Sequence, residues 1–142
     1  MTAPRNDARA GQKPVPVPSP ESAPFWKAAK EHRLLVPHCR ACGKFWFPPS
    51  QRCPHCLSSN FDWRETKGEG RIYSFVVYHR VYHPAFEADV PYVVAIVELD
   101  EGPRLITNII DAPDRVRCDA RVRVRFEEAD ADVVLPKFAL IE

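Results

Sequence analysis

Four cysteines form the strongest chemical signal in the sequence. Cys39 and Cys42 make one Cys-x2-Cys pair, Cys53 and Cys56 make a second, and ten residues separate the pairs. A tight turn can aim both sulfurs of such a pair at one point, and two turns give a closed tetrahedral four-sulfur site. Gly43 suits the positive backbone angle that such a turn often needs, whereas Leu57 stands at the matching place in the second turn. The spacing therefore predicts a structural zinc site.

Two other readings of this cluster stay open at this point, namely iron in the same geometry and a redox dithiol. Catalytic zinc is not expected, because four thiolates leave no open position on the metal. His38 and His55 lie beside the cysteines and could substitute as ligands, although we expect them to be exposed residues of the turns. Cys118 stands alone, and we expect it to be a small buried apolar side chain.

A second group of residues could contact a ligand or a partner protein. The segment from His79 to Pro91 is a long interruption between two strand patterns, and it is rich in aromatic and imidazole groups. No cysteine, serine or carboxylate lies beside its histidines at the spacing of a catalytic triad, so we predict no catalytic residue. For each candidate the alternative is ordinary packing or a solvated face. The contact candidates are Phe25, Trp26, Lys44, Trp46, His79, Tyr82, His83 and Phe86.

The elements that must position these residues follow from local patterns. Ser22 can cap a short amphipathic helix of about three turns, Pro24 suits its first turn, and Pro37 stops it. From about residue 65 the pattern changes to period two and predicts five strands, which indicates a small barrel or sandwich. Between the two cysteine pairs, residues 44–49 have the pattern of a strand that runs into a turn. The strands are predicted at residues 71–81, 92–99, 104–110, 121–126 and 133–141.

Composition and charge limit the classes of function that the protein can have. The 142 residues suffice for one ordinary domain or two small modules, and no stretch approaches a membrane span or a signal peptide. We therefore expect a cytoplasmic protein with no membrane association. Residues 21–64 carry a net charge of +4 and residues 65–142 carry −5, so only the first module favours an anionic partner. The predicted organisation is a disordered proline-rich leader (1–20), an N-terminal helix (21–37), a cysteine-rich module (38–64) and a small β barrel or sandwich (65–142).

Several motifs in this order resemble one bacterial and archaeal family, the zinc-ribbon OB-fold proteins long catalogued as a domain of unknown function. They are Pro24-Phe25-Trp26, the two cysteine pairs, Gly68-x-Gly70-x-Ile72-Tyr73-Ser74-Phe75, His83-Pro84-Ala85-Phe86, Pro91-Tyr92-Val93-Val94 and Leu135-Pro136-x-Phe138. The resemblance covers roughly residues 21–142. It implies a mainly β fold with an N-terminal helix, a rubredoxin-like zinc ribbon (38–64) and a C-terminal five-stranded OB barrel, which is an OB-fold domain (65–142).

The resemblance also implies a function. Such proteins act as non-catalytic, acyl-CoA-associated subunits beside thiolase-like enzymes or hot-dog-fold hydratases, and in actinobacteria they are associated with steroid side-chain breakdown. We expect an enzyme subunit and acyl-CoA as partners, with CoA or acyl-CoA as a bound ligand. The alternative is a single-stranded nucleic-acid-binding module, since OB folds and zinc ribbons both do this work. The acidic barrel disfavours it. A stand-alone enzyme that uses His79 or His83 is a third hypothesis.

Overall fold

The computed structural model describes residues 13–141, and residues 1–12 of the predicted leader lie outside them. Helix α1 spans Ala23–Lys30 and precedes seven strands. Two short 3-10 helices, Pro84–Phe86 and Pro113–Arg115, lie between strands. The strands are β1 (Leu35–Cys39), β2 (Phe61–Glu65), β3 (Glu69–Tyr78), β4 (Tyr92–Leu99), β5 (Arg104–Ile109), β6 (Arg121–Glu128) and β7 (Val134–Leu140).

Helix α1 is shorter than the predicted three turns because it ends in a Schellman motif without glycine. His32 takes the left-handed backbone angle, with φ of 59°, that glycine usually supplies at this position. The N–H of Arg33 donates to the carbonyl of Ala28, and the N–H of His32 donates to that of Ala29. The His32 ring stacks on Phe126 of the barrel, 5.1 Å between ring centroids. The predicted cap is also only partly right, since Ser22 precedes the helix but its hydroxyl bonds with Ser19.

Strands β1 and β2 form an antiparallel pair. Cys39 is the last residue of β1, and the segment that joins the two strands carries Cys42, Cys53 and Cys56. The prediction of a strand at residues 44–49 is wrong, because that segment forms only one isolated β-bridge, between Phe45 and His38. Pro48 and Pro49 supply no backbone N–H for a ladder, which explains why the pairing stops there. The segment is held by two backbone hydrogen bonds with β1, from the Cys39 N–H to the Lys44 carbonyl and from the Trp46 N–H to the Pro37 carbonyl, and by burial of Trp46.

Five strands close into a barrel in the order β3-β4-β5-β7-β6, as predicted for an OB fold. All pairs are antiparallel except β5 with β7, which meet in parallel at Ile109 and Phe138. Pro136 pairs on one side with Phe126 of β6, and its carbonyl accepts a hydrogen bond from the Thr107 hydroxyl at 2.9 Å. Pro136 thus lies beside the short contact between β5 and β7. A proline is tolerated there because, as at the edge of a sheet, no backbone N–H is needed on that side.

The helix, the ribbon and the barrel share one hydrophobic core. Phe25 of α1 and Val36 of β1 belong to the same buried cluster as the barrel residues Ile72, Val97 and Phe138. Because this cluster crosses from one module to the other, the position of the ribbon is tied to that of the barrel. A second small cluster, with Cys39, Trp46 and Cys53, lies under the cysteine turns.

Two features near the surface differ from expectation. Cys118 is exposed rather than buried, because Val116 takes the buried position in that connector. Within the described part of the leader, the Lys13 ammonium pairs with Asp89 at 2.5 Å and lies 5.6 Å from the centroid of the Phe86 ring. Lys13 therefore contacts the loop that joins β3 and β4.

Candidate functional site

The two cysteine turns have the same backbone geometry. In the first turn the N–H of Gly43 donates to the carbonyl of Cys39 at 2.9 Å, and in the second the N–H of Leu57 donates to that of Cys53 at 2.8 Å. The N–H of each leading cysteine in turn bonds to a carbonyl five residues later. Gly43 and Leu57 both have left-handed backbones, with φ of 77° and 65°. Leu57 thus adopts the left-handed backbone conformation that favours glycine, and its apolar side chain is exposed.

These turns bring four sulfurs together. The Sγ atoms of Cys39, Cys42, Cys53 and Cys56 all lie within 4.8 Å of one another. The sulfurs of Cys39 and Cys56 are 3.5 Å apart, and those of Cys42 and Cys53 are 3.7 Å apart. A regular tetrahedron with zinc–sulfur bonds of about 2.3 Å has edges of about 3.8 Å between its sulfurs. The four-thiol donor set and its spacing therefore fit a zinc ion, which would be held without an open coordination position.

Backbone N–H groups inside the turns favour the thiolate form needed for metal binding. The N–H of Cys42 lies 3.4 Å from the Cys39 sulfur, and this contact is the main reason that the pKa of Cys39 is lowered to about 7. The N–H of His55 lies 3.3 Å from the Cys53 sulfur. For Cys56 the Ser58 backbone N–H also favours the thiolate, but the neighbouring Cys39 thiol, burial and the other two cysteines raise its pKa to about 11. Binding of a cation by the cluster therefore releases protons.

The two nearby histidines stand apart from the sulfur cluster. His38 was expected to be exposed, but it is half-buried, with its ring 4.6 Å from that of Phe45 and its Nδ1 3.4 Å from Oδ1 of Asp62. This correction follows from β1, where His38 pairs in register with Asp62 of β2. His55 is exposed, as expected. Within residues 13–141 the cluster that could hold a metal consists of the four cysteines.

An open groove lies between the ribbon and the barrel. Its volume is about 630 Å³, and residues from the ribbon face the turn between β4 and β5 across it. The Lys44 side chain is exposed and has no ion pair among the described residues. Glu101 on the barrel side has one carboxylate oxygen bonded to the N–H of Lys67. The lining residues are Gly43, Lys44, Phe45, Trp46, Phe47, Pro54, His55, Glu101, Gly102, Pro103 and Arg104.

Two of the contact candidates near the ribbon, Phe25 and Trp46, are buried. Phe25 is 4% exposed and packs in the shared core, so it is a core residue rather than a surface for a ligand. Trp46 is 3% exposed and borders the groove from below, with its indole N–H bonded to the Ser50 hydroxyl at 3.1 Å. Trp26 is half-buried against the core, and its ring meets that of Phe25 edge to face. Lys44 alone of these four is freely exposed.

The candidates in the loop between β3 and β4 form an aromatic group at one end of the barrel. Tyr82 is 70% exposed and packs edge to face on Tyr78, whose ring also contacts Tyr92. His79 is exposed, whereas His83 is half-buried and accepts the N–H of Ala85 at Nδ1, which caps the short helix that includes Phe86. The imidazole of His83 is thus used to shape the loop. Phe86 itself packs on Tyr92.

Profiles of known families match both modules in the order that the structure shows. Residues 26–62 match the ChsH2 rubredoxin-like zinc ribbon domain, and residues 63–127 match the ChsH2 C-terminal OB-fold domain. The chain belongs to the ChsH2 zinc-ribbon and OB-fold family. Among solved structures, the Ltp2-ChsH2(DUF35) aldolase superposes with a TM-score of 0.80 at 42% identity, over 89% of this chain and 98% of that one. A DUF35 protein of unknown function from Sulfolobus solfataricus shares the fold, with a TM-score of 0.61 at 14% identity.

Curated members of the ChsH2 and DUF35 family are named as subunits or scaffolds. A probable enoyl-CoA hydratase alpha subunit of Thermomonospora curvata is 43% identical over 89% of this chain, which spans 39% of that protein. A DUF35 domain-containing scaffold protein of Methanocaldococcus jannaschii is 34% identical over 75% of this chain and 77% of its own length. The benzoylsuccinyl-CoA thiolase subunit BbsA of Thauera aromatica is 28% identical over 61% of this chain and 58% of its own length.

Sequence reasoning missed a set of exposed apolar residues on this ChsH2-type barrel. Tyr73, Val76 and Ile106 are prominent on the outer side of β3 and β5, away from the barrel core. The sequence did contain a signal for this apolar surface, namely strand β4. It is an almost uninterrupted apolar run whose residues alternate between buried and half-buried. A strand that is apolar on both faces is typical of a strand covered on both faces. Within residues 13–141, no helix has the length and apolar character needed to cross a membrane.

Proposed function

We propose that this chain is a non-catalytic, zinc-stabilised subunit that assembles with an acyl-CoA enzyme, either thiolase-like or a hot-dog-fold hydratase. The observation that carries the proposal is the pair of matched modules. The relatives that share them are named as a hydratase alpha subunit, a thiolase subunit and DUF35 scaffold proteins. One relative is named for a steroid acyl-CoA, 3-oxo-4,17-pregnadiene-20-carboxyl-CoA. This name supports a lipid or steroid acyl group as the substrate class.

The physical basis of the role is rigidity. We assign the metal to Cys39, Cys42, Cys53 and Cys56, since their sulfurs have tetrahedral spacing. When bound, the zinc ion supplies structure rather than reactivity, because four thiolates leave no position for a substrate. The ribbon that it closes shares the core of the barrel through Phe25, Leu34 and Val36. We therefore treat residues 21–37, 38–64 and 65–142 as helix, ribbon and OB modules of one rigid adaptor.

The arrangement of the histidines supports a non-catalytic role. His83 is the more buried of the two loop candidates, but its Nδ1 is engaged by the Ala85 N–H and its ring packs against Phe86. His79 is exposed, and its side chain makes no hydrogen bond or ring contact with any residue that the structure describes. A general base needs hydrogen-bond reach to the group that it deprotonates. In this proposal the enzyme subunit supplies the nucleophile and the base.

The groove between the ribbon and the barrel is our candidate for contact with CoA. Lys44 offers an unpaired ammonium for a phosphate, and Phe45 and Phe47 offer apolar surface on the same side. Sites for small molecules usually bury 70–90% of their ligand. This groove is open to solvent, so it would cover one side of a CoA molecule and leave the other side for the enzyme subunit. Such a shared site explains why an acyl-CoA enzyme would need this chain.

The nucleic-acid alternative lacks an electrostatic basis on the barrel. Four arginines on its outer strands are each paired with a carboxylate at 2.7–3.0 Å, and the barrel module carries net negative charge. Single-strand binding requires a groove of free cations beside stacking aromatic rings. The paired residues are Arg71 and Arg104 with Glu98, Arg121 with Asp100, and Arg123 with Glu69.

Affinity purification from the source organism tests the proposal. The tagged chain should retain a thiolase-like or hydratase subunit at a fixed stoichiometry, and the complex should turn over an acyl-CoA that the chain alone leaves unchanged. Mass spectrometry identifies the subunit and a coupled assay reports turnover. Turnover by the purified chain alone, abolished in His83→Ala, would contradict the non-catalytic role. Micromolar single-stranded DNA binding that weakens steeply with salt would favour the nucleic-acid alternative.

A further inference from the structure

The outer surface of the barrel carries one largely apolar face. Strand register places Ile96 of β4 between Ser74 of β3 and Ile106 of β5, and it places Val94 between Val76 and Asn108. The next pair along β3 and β4 is Tyr78 with Tyr92, which leads into the aromatic loop. We call this the β3–β5 face. It comprises Tyr73, Val76, Tyr78, Tyr92, Val94, Ile96 and Ile106.

Three apolar residues of this face are well exposed. Ile106 is 75% exposed, Val76 is 54% exposed and Tyr73 is 46% exposed, whereas the opposite-pointing residues of the same strands fill the core. Contiguous apolar patches with polar margins mark surfaces that another molecule covers. The outer face of β6 differs, since it presents Arg121, Arg123 and Arg125 to solvent. The apolar character therefore belongs to one side of the barrel.

The charges at the margin of the β3–β5 face are already neutralised within the chain. Glu98 accepts hydrogen bonds from Arg71 at 3.0 Å and from Arg104 at 2.9 Å, and Arg71 also pairs with Asp119 at 3.2 Å, so that two carboxylates balance the two guanidinium groups. The Arg104 guanidinium also lies 3.8 Å from the centroid of the Tyr73 ring, which is a cation–π contact. A surface with no spare charge is complementary to an uncharged apolar protein surface. It offers nothing to phosphates of nucleic acid or of lipid headgroups.

The size of the face selects a large partner over a second copy of the chain. Three strands about 4.8 Å apart, over roughly 20 Å of their length, present roughly 300 Å² of sheet. Two copies docked by this face would bury roughly 600 Å² in total, which is within the range of crystal-packing contacts and below the roughly 1,200 Å² of a stable interface. A larger subunit can extend its contact onto Tyr82 and the rest of the aromatic loop, which continues the face.

We propose that the β3–β5 face, centred on Val76, Ile96 and Ile106, is the surface by which this chain docks onto its acyl-CoA enzyme subunit. The inference rests on the proposed function and names the part of the chain that makes the contact. The matching surface of the enzyme subunit is apolar and uncharged. Exposed tyrosines supply the amphipathic contacts that are enriched in protein interfaces.

Site-specific photocrosslinking in the source organism tests this surface. The photoreactive residue p-benzoylphenylalanine replaces Ile106 in one version of the full chain and Arg125, on the outer face of β6, in another. The Ile106 position should give an adduct with the thiolase-like or hydratase subunit that copurifies with the unmodified chain, and the Arg125 position should give none. An adduct from Ile106 with a second copy of the chain, or with nucleic acid, would contradict the proposal that this face binds the enzyme subunit.

Matched substitutions quantify the contact. Ile106→Arg should weaken the complex by a factor of about 30 or more, because it buries an unpaired charge in the interface. Ile106→Leu and Arg125→Glu should stay within about twofold of the original affinity. Since Ile106 is exposed, thermal unfolding of the free Ile106→Arg variant should be unchanged. If the complex forms but tolerates Ile106→Arg, the docking surface is wrong and the proposed function stands; if no acyl-CoA enzyme subunit copurifies with the unmodified chain, both fail.

Discussion

The backbone N–H of Leu57 donates to the carbonyl of Cys53 over 2.8 Å, and this bond is the counterpart of the one from Gly43 to Cys39. Leucine therefore occupies, in the second cysteine turn, the left-handed conformation that glycine occupies in the first. A left-handed backbone costs a residue other than glycine roughly 1–2 kcal/mol. The ribbon tolerates that cost at Leu57 because the remaining contacts of the turn determine its conformation.

The first prediction concerns Gly43. Gly43→Ala should lower the free energy of unfolding by about 1 kcal/mol, because no atom lies within 4 Å of the added Cβ and only the backbone angle is strained. Urea unfolding of the metal-loaded protein measures the change. A loss above about 3 kcal/mol would show that Gly43 is needed for more than its backbone angle.

The second prediction contrasts Gly70 with Gly43. A Cβ on Gly70 would lie 2.2 Å from the backbone oxygen of Glu98 on the neighbouring strand, a distance that real contacts do not reach. Gly70→Ala should therefore force β3 away from β4 and cost about 3 kcal/mol or more. Urea unfolding and amide exchange of β4 measure it, with Gly43→Ala as the control because a Cβ there meets nothing within 4 Å and strains only the backbone angle. Equal losses at Gly70 and Gly43 would contradict the steric explanation.

The third prediction concerns the metal. Cys39→Ser and Cys53→Ser should abolish stoichiometric zinc binding and unfold the ribbon, because structural zinc in small modules contributes on the order of 10–16 kcal/mol of binding free energy. Elemental analysis and near-UV circular dichroism report the two effects. Amide exchange should also rise in the barrel near Ile72, which shares a core with Phe25 and Val36.

The matched control for the metal is Cys118→Ser. Cys118 is exposed and lies outside the sulfur cluster, so its replacement should leave zinc content and unfolding unchanged. A folded ribbon with four free thiols and no metal in the unmodified protein would defeat the zinc assignment. Iron in place of zinc would keep the four ligands and change only the metal that elemental analysis detects.

Much of this fold is predictable from local pattern. The period-two strands were placed within about three residues of their ends, and β4 has the predicted bounds of Tyr92–Leu99. The cysteine spacing likewise identified four residues whose sulfurs do converge. These features depend on short-range geometry, namely alternation along a strand and the reach of a tight turn, which a sequence states directly.

The errors arose where the decisive contact is distant in sequence. The end of α1 at His32 lacks a glycine signal, since it is supported by a ring that stacks on Phe126, 94 positions later. Burial of Phe25 and Trp46 likewise depends on how the modules pack, so their spacing gave no indication that they are inaccessible. The β3–β5 face went unnoticed because strand register, which aligns Val76, Ile96 and Ile106, comes from pairing rather than from composition.

The fourth prediction concerns acid stability. Both oxygens of Asp100 accept hydrogen bonds from Arg121, at 2.7 and 2.9 Å, and these bonds hold the pKa of Asp100 below its ordinary value. The pair therefore contributes stability that is present above the unfolded pKa of about 3.9 and is lost as the pH falls through the lower folded pKa. The contribution should be about 1 kcal/mol or less, because the pair is partly exposed.

Unfolding of Asp100→Asn across pH measures this contribution. The difference from the unmodified protein should be constant between about pH 5 and 8 and should shrink below about pH 4. Asp132→Asn is the control, since Asp132 has no ion pair among residues 13–141. A difference that grows as the pH falls would have the opposite sign and would exclude the ion pair as its cause.

The fifth prediction concerns the groove and CoA. Lys44→Ala should weaken binding of CoA to the assembled complex by about three- to tenfold, because one partly screened ammonium–phosphate contact is lost. The effect should diminish at high ionic strength, as expected for exposed charges. Isothermal titration with CoA measures it. Lys27→Ala removes an equally exposed lysine of α1 that does not line the groove, and it should leave the affinity unchanged. Equal losses in the two variants would indicate a general effect of net charge, whereas no loss in either would place CoA on the enzyme subunit alone.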